Sequence, residues 1–220
     1  DWNKIVGLEG LPSINAINRE QKAALIKVTE ALHEKKIAKI AEDIASRPKA
    51  KIILVAGPSS SGKTTFSKRL SVQLAASKLR PIALSLDNYY LTHDKTPLDE
   101  FGELDFESLY ALHLPLFNEQ LQAMLRGEEV QTPRFNFETE KRELGPKVKL
   151  RENDVLIIEG IHGLNPELTA SIPDENKYKV YVSALTTLSL SPRNWLSTSD
   201  TRLLRRCIRD HKYRNYPAEN

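Results

Sequence analysis

Cysteine is almost absent from this sequence. Cys207 is the only one in 220 residues, so no internal disulfide can form, and a reducing cytoplasm is the natural compartment. A surplus of charge of one sign is missing too. The 32 Lys and Arg stand against 29 Asp and Glu, a formal net charge of +3, too mild to argue for nucleic acid or a membrane surface. No apolar run approaches the roughly 18 residues of a membrane span, and no signal-peptide pattern opens the chain. The five histidines show no metal-ligand spacing. These absences exclude secreted, collagen-like, metal-finger and membrane classes. What is present is a globular balance, 40% apolar and 28% charged, in a chain long enough to bury a core without staples. The first residue is Asp1 rather than Met, which reads as a chain processed or cut from something longer.

Residues 1–18 read as irregular, broken by Gly7, Gly10 and Pro12. From Arg19 to Ser46 there is neither Gly nor Pro, and Leu25, Val28, Leu32, Ile37, Ile40 and Ile44 recur at mostly three- to five-residue intervals. That spacing predicts one amphipathic helix, with Asn18 as its N-cap and Pro48 as its stop. The character then changes. Lys51–Ala56 is a short apolar run that reads as a buried strand, followed by a glycine-rich turn and a helix to about Lys78. Pro81–Leu86 and Asp154–Glu159 read as further strands, and Lys179–Ser183 as a fourth. Helices are expected over about Phe106–Arg126 and Thr201–Tyr213, and the alternating polar stretch 130–150 suggests a hairpin. Strands alternating with helices indicate an α/β fold with a parallel sheet and helices on both faces.

Gly57-Pro-Ser-Ser-Ser-Gly62-Lys63-Thr64 matches G-x-x-x-x-G-K-[ST] at every required position, between a predicted strand and a predicted helix. Gly57 and Gly62 allow the tight turn and let backbone N–H groups approach phosphate oxygens. The loop residues Ser59, Ser60 and Ser61 and the first helical residues Lys63, Thr64 and Thr65 then surround the anion at a positive helix end. Lys63 is expected on the terminal phosphates and the Thr64 hydroxyl on Mg²⁺. ATP or GTP with Mg²⁺ is the cofactor this pattern calls for.

No Asn-Lys-x-Asp element marks a guanine-specific switch, and the chain is short for a helicase or transporter motor. A small acceptor kinase remains. It needs a base for the acceptor hydroxyl, support for the metal and cationic charge over the transferring group. Asp87 follows the second strand and Glu159 ends the third, the end of an open parallel sheet where ligands gather. Asp87 can accept the acceptor proton, and Glu159 can support Mg²⁺. Arg202, Arg205, Arg206 and Arg209 fall at i, i+3, i+4 and i+7, so one helix face carries four guanidinium groups, suited to a lid closing on phosphates. The alternative for that stripe is a solvated face paired with Asp200 and Asp210. His162 follows Glu159-Gly160-Ile161 and is a candidate to face the site.

These residues resemble the uridine kinase and phosphoribulokinase family of P-loop kinases over about residues 51–215. The resemblance rests on the phosphate loop, Leu86-Asp-Asn-Tyr-Tyr90, Leu104-Asp-Phe106, Thr132-Pro-Arg-Phe-Asn-Phe137, Ile158-Glu-Gly160 and Asp200-Thr-Arg-Leu-Leu-Arg-Arg206. It implies that Asp87 is the catalytic base, with Tyr90 in the acceptor pocket and Asp105 binding the acceptor. It also implies a strand-end acid at Glu159, a first lid arginine at Arg202, and lid contacts to phosphate from Arg206 and Arg209. Uridine kinases carry a tyrosine and, five residues later, a histidine that recognise the base; this chain has Phe135 and Glu140 there. Phe135 can stack on a ring but lacks the hydroxyl, so the expected acceptor is nucleoside-like or sugar-like rather than uridine in particular. Uridine kinases also continue past the lid with another strand and helix, again the pattern expected of a piece of a longer protein.

The expected organisation is an N-terminal helical extension over 1–48 and a P-loop kinase domain over 49–220, with an Arg-rich lid helix at about 200–214. The expected partners are a nucleoside triphosphate and a small-molecule acceptor, with no membrane and no nucleic acid; a homo-oligomer is compatible with the sequence. A second reading is a nucleotide-gated module on a kinase fold that regulates a partner or RNA. Asp87 speaks against it, because a pure sensor needs no base.

Overall fold

The computed structural model describes residues 8, 10–136, 139, 141–183, 189–191, 194–195 and 197–214. Glu140, Phe137 and Trp2 lie outside them. The chain forms two compact units.

The larger unit comprises Ile40–Gly57 and Lys63–Val182. Its centre is a four-stranded parallel sheet in the order β2-β5-β1-β6, built from β1 (Ile52–Ala56), β2 (Arg80–Ser85), β5 (Asp154–Gly160) and β6 (Lys177–Tyr181). The apolar run Ile52–Ala56 is buried at every position, as a central parallel strand must be when both faces are covered. Alternation then sorts its side chains. Ile52 and Leu54, with Leu156 and Ile158 of β5, join a core that includes Phe117, Leu121 and Met124 of α4 (Leu114–Leu125). Ile53, Val55 and Ile157 point to the opposite face, where α3 (Lys63–Ala76) packs across β1, β2 and β5 and buries Phe66, Leu70 and Leu74. Each such fully buried aliphatic or aromatic side chain contributes about 1.5–3 kcal/mol. Helices on both faces of a parallel sheet are therefore what the hydrophobic pattern called for.

The stretch 130–150 is the expected hairpin, with β3 (Val130–Asn136) antiparallel to β4 (Lys141–Val148). The expected helix from Phe106 is shorter than its apolar pattern suggested. Residues 109–111 form one 3₁₀ turn, and α4 begins only at Leu114. The reason is local. Pro115 stands in the first turn, where its missing N–H is harmless, and the His113 ring nitrogen Nδ1 accepts from Leu116 N at 3.1 Å, capping the helix there.

The smaller unit comprises the described residues of Asp1–Lys39, Pro58–Gly62 and Ser183–Asn220. Its N-terminal part is not wholly irregular: α1 (Leu11–Ala16) forms one short helix with Pro12 in its first turn. The next helix, α2 (Arg19–Ala45), runs on from Lys39 into the larger unit's Ile40–Ala45, where Ala41 and Ile44 are buried. Asn18 caps it as expected, its Oδ1 accepting from Gln21 N at 2.9 Å while Gln21 Oε1 accepts from Asn18 N at 2.8 Å, a reciprocal capping pair. A short antiparallel pair, β7 (Ser189–Ser191) and β8 (Asn194–Trp195), and the helix α5 (Thr198–Arg214) complete this unit. Among the described residues no helix is long and apolar enough to cross a membrane.

Candidate active site

The phosphate-loop motif begins where β1 ends. Ser60 takes φ of +59° and Gly62 φ of +99°, and α3 then starts at Lys63. The left-handed turn at Gly62 is the conformation a glycine adopts without strain. The first turn of α3 that follows carries the unsatisfied N–H groups of a helix start. Lys63 Nζ donates to Gly57 O at 2.8 Å.

Strand register brings the carboxylates together. Ser85 of β2 pairs with Glu159 of β5, and Val55 of β1 pairs with Glu159 from the other side. The ends of three strands are thus level to within a residue, and Asp87 lies two residues beyond the end of β2. Glu159 Oε1 accepts from Thr64 Oγ1 at 3.2 Å. Its second oxygen, Oε2, is buried and has no hydrogen-bond partner among the described residues. A buried carboxylate oxygen without a donor is costly and calls for a cation. Among the described residues no three His, Cys, Asp or Glu side chains cluster as a protein cage for a metal. Mg²⁺ keeps most of its waters and takes one or two protein oxygens beside phosphates. Thr64 and Glu159 fit such an ion.

Asp87 is exposed and sits in a 3₁₀ turn, Leu86–Tyr89, whose N-cap Ser85 Oγ accepts from Asp87 N at 3.3 Å. Tyr90 follows, and its hydroxyl donates to Phe106 O at 3.1 Å. Burial first, then the charges of Asp87 and Glu107, push the Tyr90 phenol up to about 12, so it remains a donor at neutral pH. Its ring meets Phe106 edge-on at 6.2 Å and Phe135 at 6.0 Å, and His93 stacks edge-on against Phe106 at 5.2 Å. Phe135 is buried, at 6% exposure, and its backbone N–H donates to Asn88 Oδ1 at 3.3 Å. Three separate segments thus build one aromatic wall beside Asp87. Asp105 is half-buried, with Oδ1 accepting from Glu107 N and Ser108 N, each at 3.0 Å. This Asx-type cap sets the turn that carries Phe106.

Asn88, His93 and the Phe106 ring are the residues that motif reading missed. Phe106 and Asn88 lay inside the quoted motifs, but nothing in residue spacing says that residues 88, 106 and 135 meet.

In the smaller unit the Ser60 and Ser61 hydroxyls are buried without hydrogen-bond partners among the described residues. Arg202 Nε donates to Ser59 O at 3.3 Å and Arg205 Nε to Ser60 O at 3.1 Å. The rest of the arginine stripe is engaged differently. Asp210 takes two hydrogen bonds from Arg209, at 2.7 and 3.0 Å, and lies 3.6 Å from Arg206. Arg206 and Arg209 are thus paired with Asp210, Arg206 exposed and Arg209 half-buried, while Arg202 and Arg205 reach the loop carbonyls. Thr65 is exposed in the first turn of α3.

The chain is similar to known proteins. Residues 52–220 match the model of the phosphoribulokinase / uridine kinase family. The chain is 24% identical over 169 residues to a uridine kinase of Ureaplasma parvum, covering 77% of this chain and 73% of that protein. It is 28% identical over 168 residues to a uridine kinase of Bacillus pumilus, covering 76% and 71%. A solved structure described as a possible uridine kinase from Bacillus stearothermophilus superposes with a TM-score of 0.52 at 19% identity, covering 79% of this chain and 96% of that one. That last likeness is one of fold.

Proposed function

The chain belongs to the phosphoribulokinase / uridine kinase family and is a kinase, and we propose that it moves the γ-phosphoryl group of ATP or GTP, with Mg²⁺, to a hydroxyl of a small nucleoside-like or sugar-like acceptor. The observation that carries this reading is the Thr64–Glu159 contact with its buried, unpartnered Glu159 Oε2, set level with the strand end that leads to Asp87. In this reading Gly57, Ser59, Ser60, Ser61, Gly62 and Thr65 belong to the phosphate cradle. Lys63 meets the terminal phosphates, and Thr64 and Glu159 hold the metal. Bound there, Mg²⁺ would neutralise charge on the phosphate oxygens. Asp87 takes the proton of the attacking hydroxyl. Tyr90, Asp105 and Phe135 orient the acceptor. Arg202 supplies lid charge, and Arg206 and Arg209 add theirs once phosphate replaces Asp210 as their partner.

The aromatic wall of Tyr90, Phe106 and Phe135 favours an acceptor with a flat or apolar face. The test is a screen of labelled ATP with Mg²⁺ against nucleosides, phosphorylated sugars and pantothenate. Transfer to one class is expected. If folded, full-length protein labels none of them, the acceptor assignment fails.

A further inference from the structure

Asn88 and Gln120 are polar side chains to which the phosphoryl-transfer reading gives no task, and both reach the hairpin that carries Phe135. Asn88 is half-buried in the 3₁₀ turn Leu86–Tyr89, next to Asp87. Its Oδ1 accepts from the backbone N–H of Phe135 in β3 at 3.3 Å. Gln120 is half-buried in α4 and uses both ends of its amide. Its Oε1 accepts from the Tyr89 hydroxyl at 2.8 Å, and its Nε2 donates to Gln131 O of β3 at 3.0 Å.

The same turn and the same strand are thus joined twice, directly through Asn88 and through Gln120 as a bridge. The ties fall on Gln131 and Phe135, at separate points along β3, so the strand cannot pivot as it could about a single tie. The turn is a firm anchor. Tyr89 is fully buried and meets Phe117 of α4 edge-on, with ring centroids 4.9 Å apart, and its hydroxyl has the partner a buried phenol needs. The hairpin stands outside the parallel sheet, as a two-stranded sheet of β3 and β4. Two strands alone are marginal in water, so the hairpin's place depends on contacts such as these.

We infer that Asn88 and Gln120 are positioning residues for the acceptor: they fasten the β3–β4 hairpin to the turn of Asp87 and so hold the Phe135 ring at a fixed place relative to that carboxylate. This rests on the acceptor site proposed above. Tyr90, which follows the same turn, meets the Phe135 ring at 6.0 Å, so wall and base belong to one body. An acceptor lying on the wall then has its hydroxyl aimed at Asp87 without first having to order the hairpin.

The test compares Asn88→Ala, which removes the accepting oxygen, with Asn88→Asp, which keeps it. Gln120→Glu keeps the oxygen that meets Tyr89 and removes the donor to Gln131 O. Amide hydrogen exchange is read first, without ligand. Exchange at the Phe135 amide should quicken by about tenfold in Asn88→Ala while α3 and β1 keep their protection, and Asn88→Asp should recover most of it. Kinetics are read with uridine and MgATP varied separately. KM for uridine should rise about tenfold in Asn88→Ala and in Gln120→Glu, with KM for ATP within about twofold. The charge that Asn88→Asp adds beside Asp87 falls on turnover, so its rescue is read in exchange and in KM.

Unchanged exchange at Phe135 in Asn88→Ala, or a loss of protection spread equally over α3 and β1, overturns the inference. So does a parallel rise in both KM values, or exchange in Asn88→Asp as fast as in Asn88→Ala. If the unaltered protein transfers nothing to uridine, that failure belongs to the choice of acceptor, and exchange at Phe135 alone decides whether Asn88 holds the hairpin.

Discussion

Thr64 Oγ1 donates to Glu159 Oε1 at 3.2 Å, tying the first turn of α3 to the last turn of chain in β5. The contact spans 95 positions of sequence and leaves Glu159 Oε2 buried without a donor. Glu159→Gln keeps the shape and the contact but removes the charge that a cation would meet. The Mg²⁺ concentration needed for half-maximal activity should rise by about tenfold, with the fold unchanged by circular dichroism. A Mg²⁺ titration that superposes on that of the unaltered protein removes Glu159 from the metal site.

Lys63 has a different task. Its ammonium donates to Gly57 O at 2.8 Å. Lys63→Ala should lower phosphoryl transfer by about 3 kcal/mol, roughly a hundredfold, with a melting temperature within a few degrees. Turnover equal to that of the unaltered protein would place the phosphates elsewhere.

Asp87 is exposed, and its charge acts on the Tyr90 phenol of the aromatic wall. Asp87→Asn should cut turnover by roughly 10²- to 10⁴-fold, the usual worth of a positioned base, with little change in KM for MgATP. Should Asp87→Asn instead demand much more Mg²⁺, and Glu159→Gln none, the two carboxylates have exchanged roles.

Gly160 is required by packing. A Cβ there would stand 2.3 Å from Leu86 Cδ1 and 3.0 Å from Leu86 Cβ and Cγ, and Leu86 is itself 2% exposed. Gly160→Ala should destabilise the protein by about 1–3 kcal/mol, measured by urea denaturation. Adding Leu86→Ala should return less stability than it removes at a site with no clash, so the double-mutant cycle should show favourable coupling.

Asp154 gives a pH dependence whose sign is set by its partners. The Arg80 guanidinium, with help from the Arg151 backbone and against burial, holds the Asp154 carboxyl below the ordinary 3.8. Its side chain is 3% exposed. A depressed folded-state value means that stability is fully present above the unfolded value and is lost as pH falls through the folded one. Chemical denaturation should therefore show stability declining below about pH 4, and Asp154→Asn should flatten that part of the profile while lowering stability at neutral pH. A profile unchanged by the substitution would show that the pair carries no linkage.

The elements legible from sequence are those whose causes are local. Eight consecutive residues, Gly57–Thr64, contain the whole loop-and-helix device, because a positive φ at Gly62 and the orphan N–H groups of a helix start act over a few bonds. The apolar run Ile52–Ala56 announces a strand buried on both faces, and it is one. Helix ends were readable where a cap is a neighbour, as at Asn18. The late start of α4 carried the same kind of signal, Pro115 after His113, which apolar periodicity overrode. Pro12 in α1 is a further case, since a proline in a first turn opens a helix as readily as it breaks one.

Only the tertiary structure decided who meets whom at the site. The order β2-β5-β1-β6 sets Ser85 level with Glu159, and so brings Asp87 and the metal-side carboxylate to one end of the sheet. No local rule states that register. Tyr90, Phe106 and Phe135 come from a 3₁₀ turn, an Asx-capped loop and a hairpin strand. Their meeting depends on where those segments are carried by the packed core beneath them. Residue types and short spacings prescribe backbone conformation and chemistry, because those energies are local. Which groups converge is settled by burial of the sheet's two faces, a sum over the whole unit that no short stretch of sequence contains.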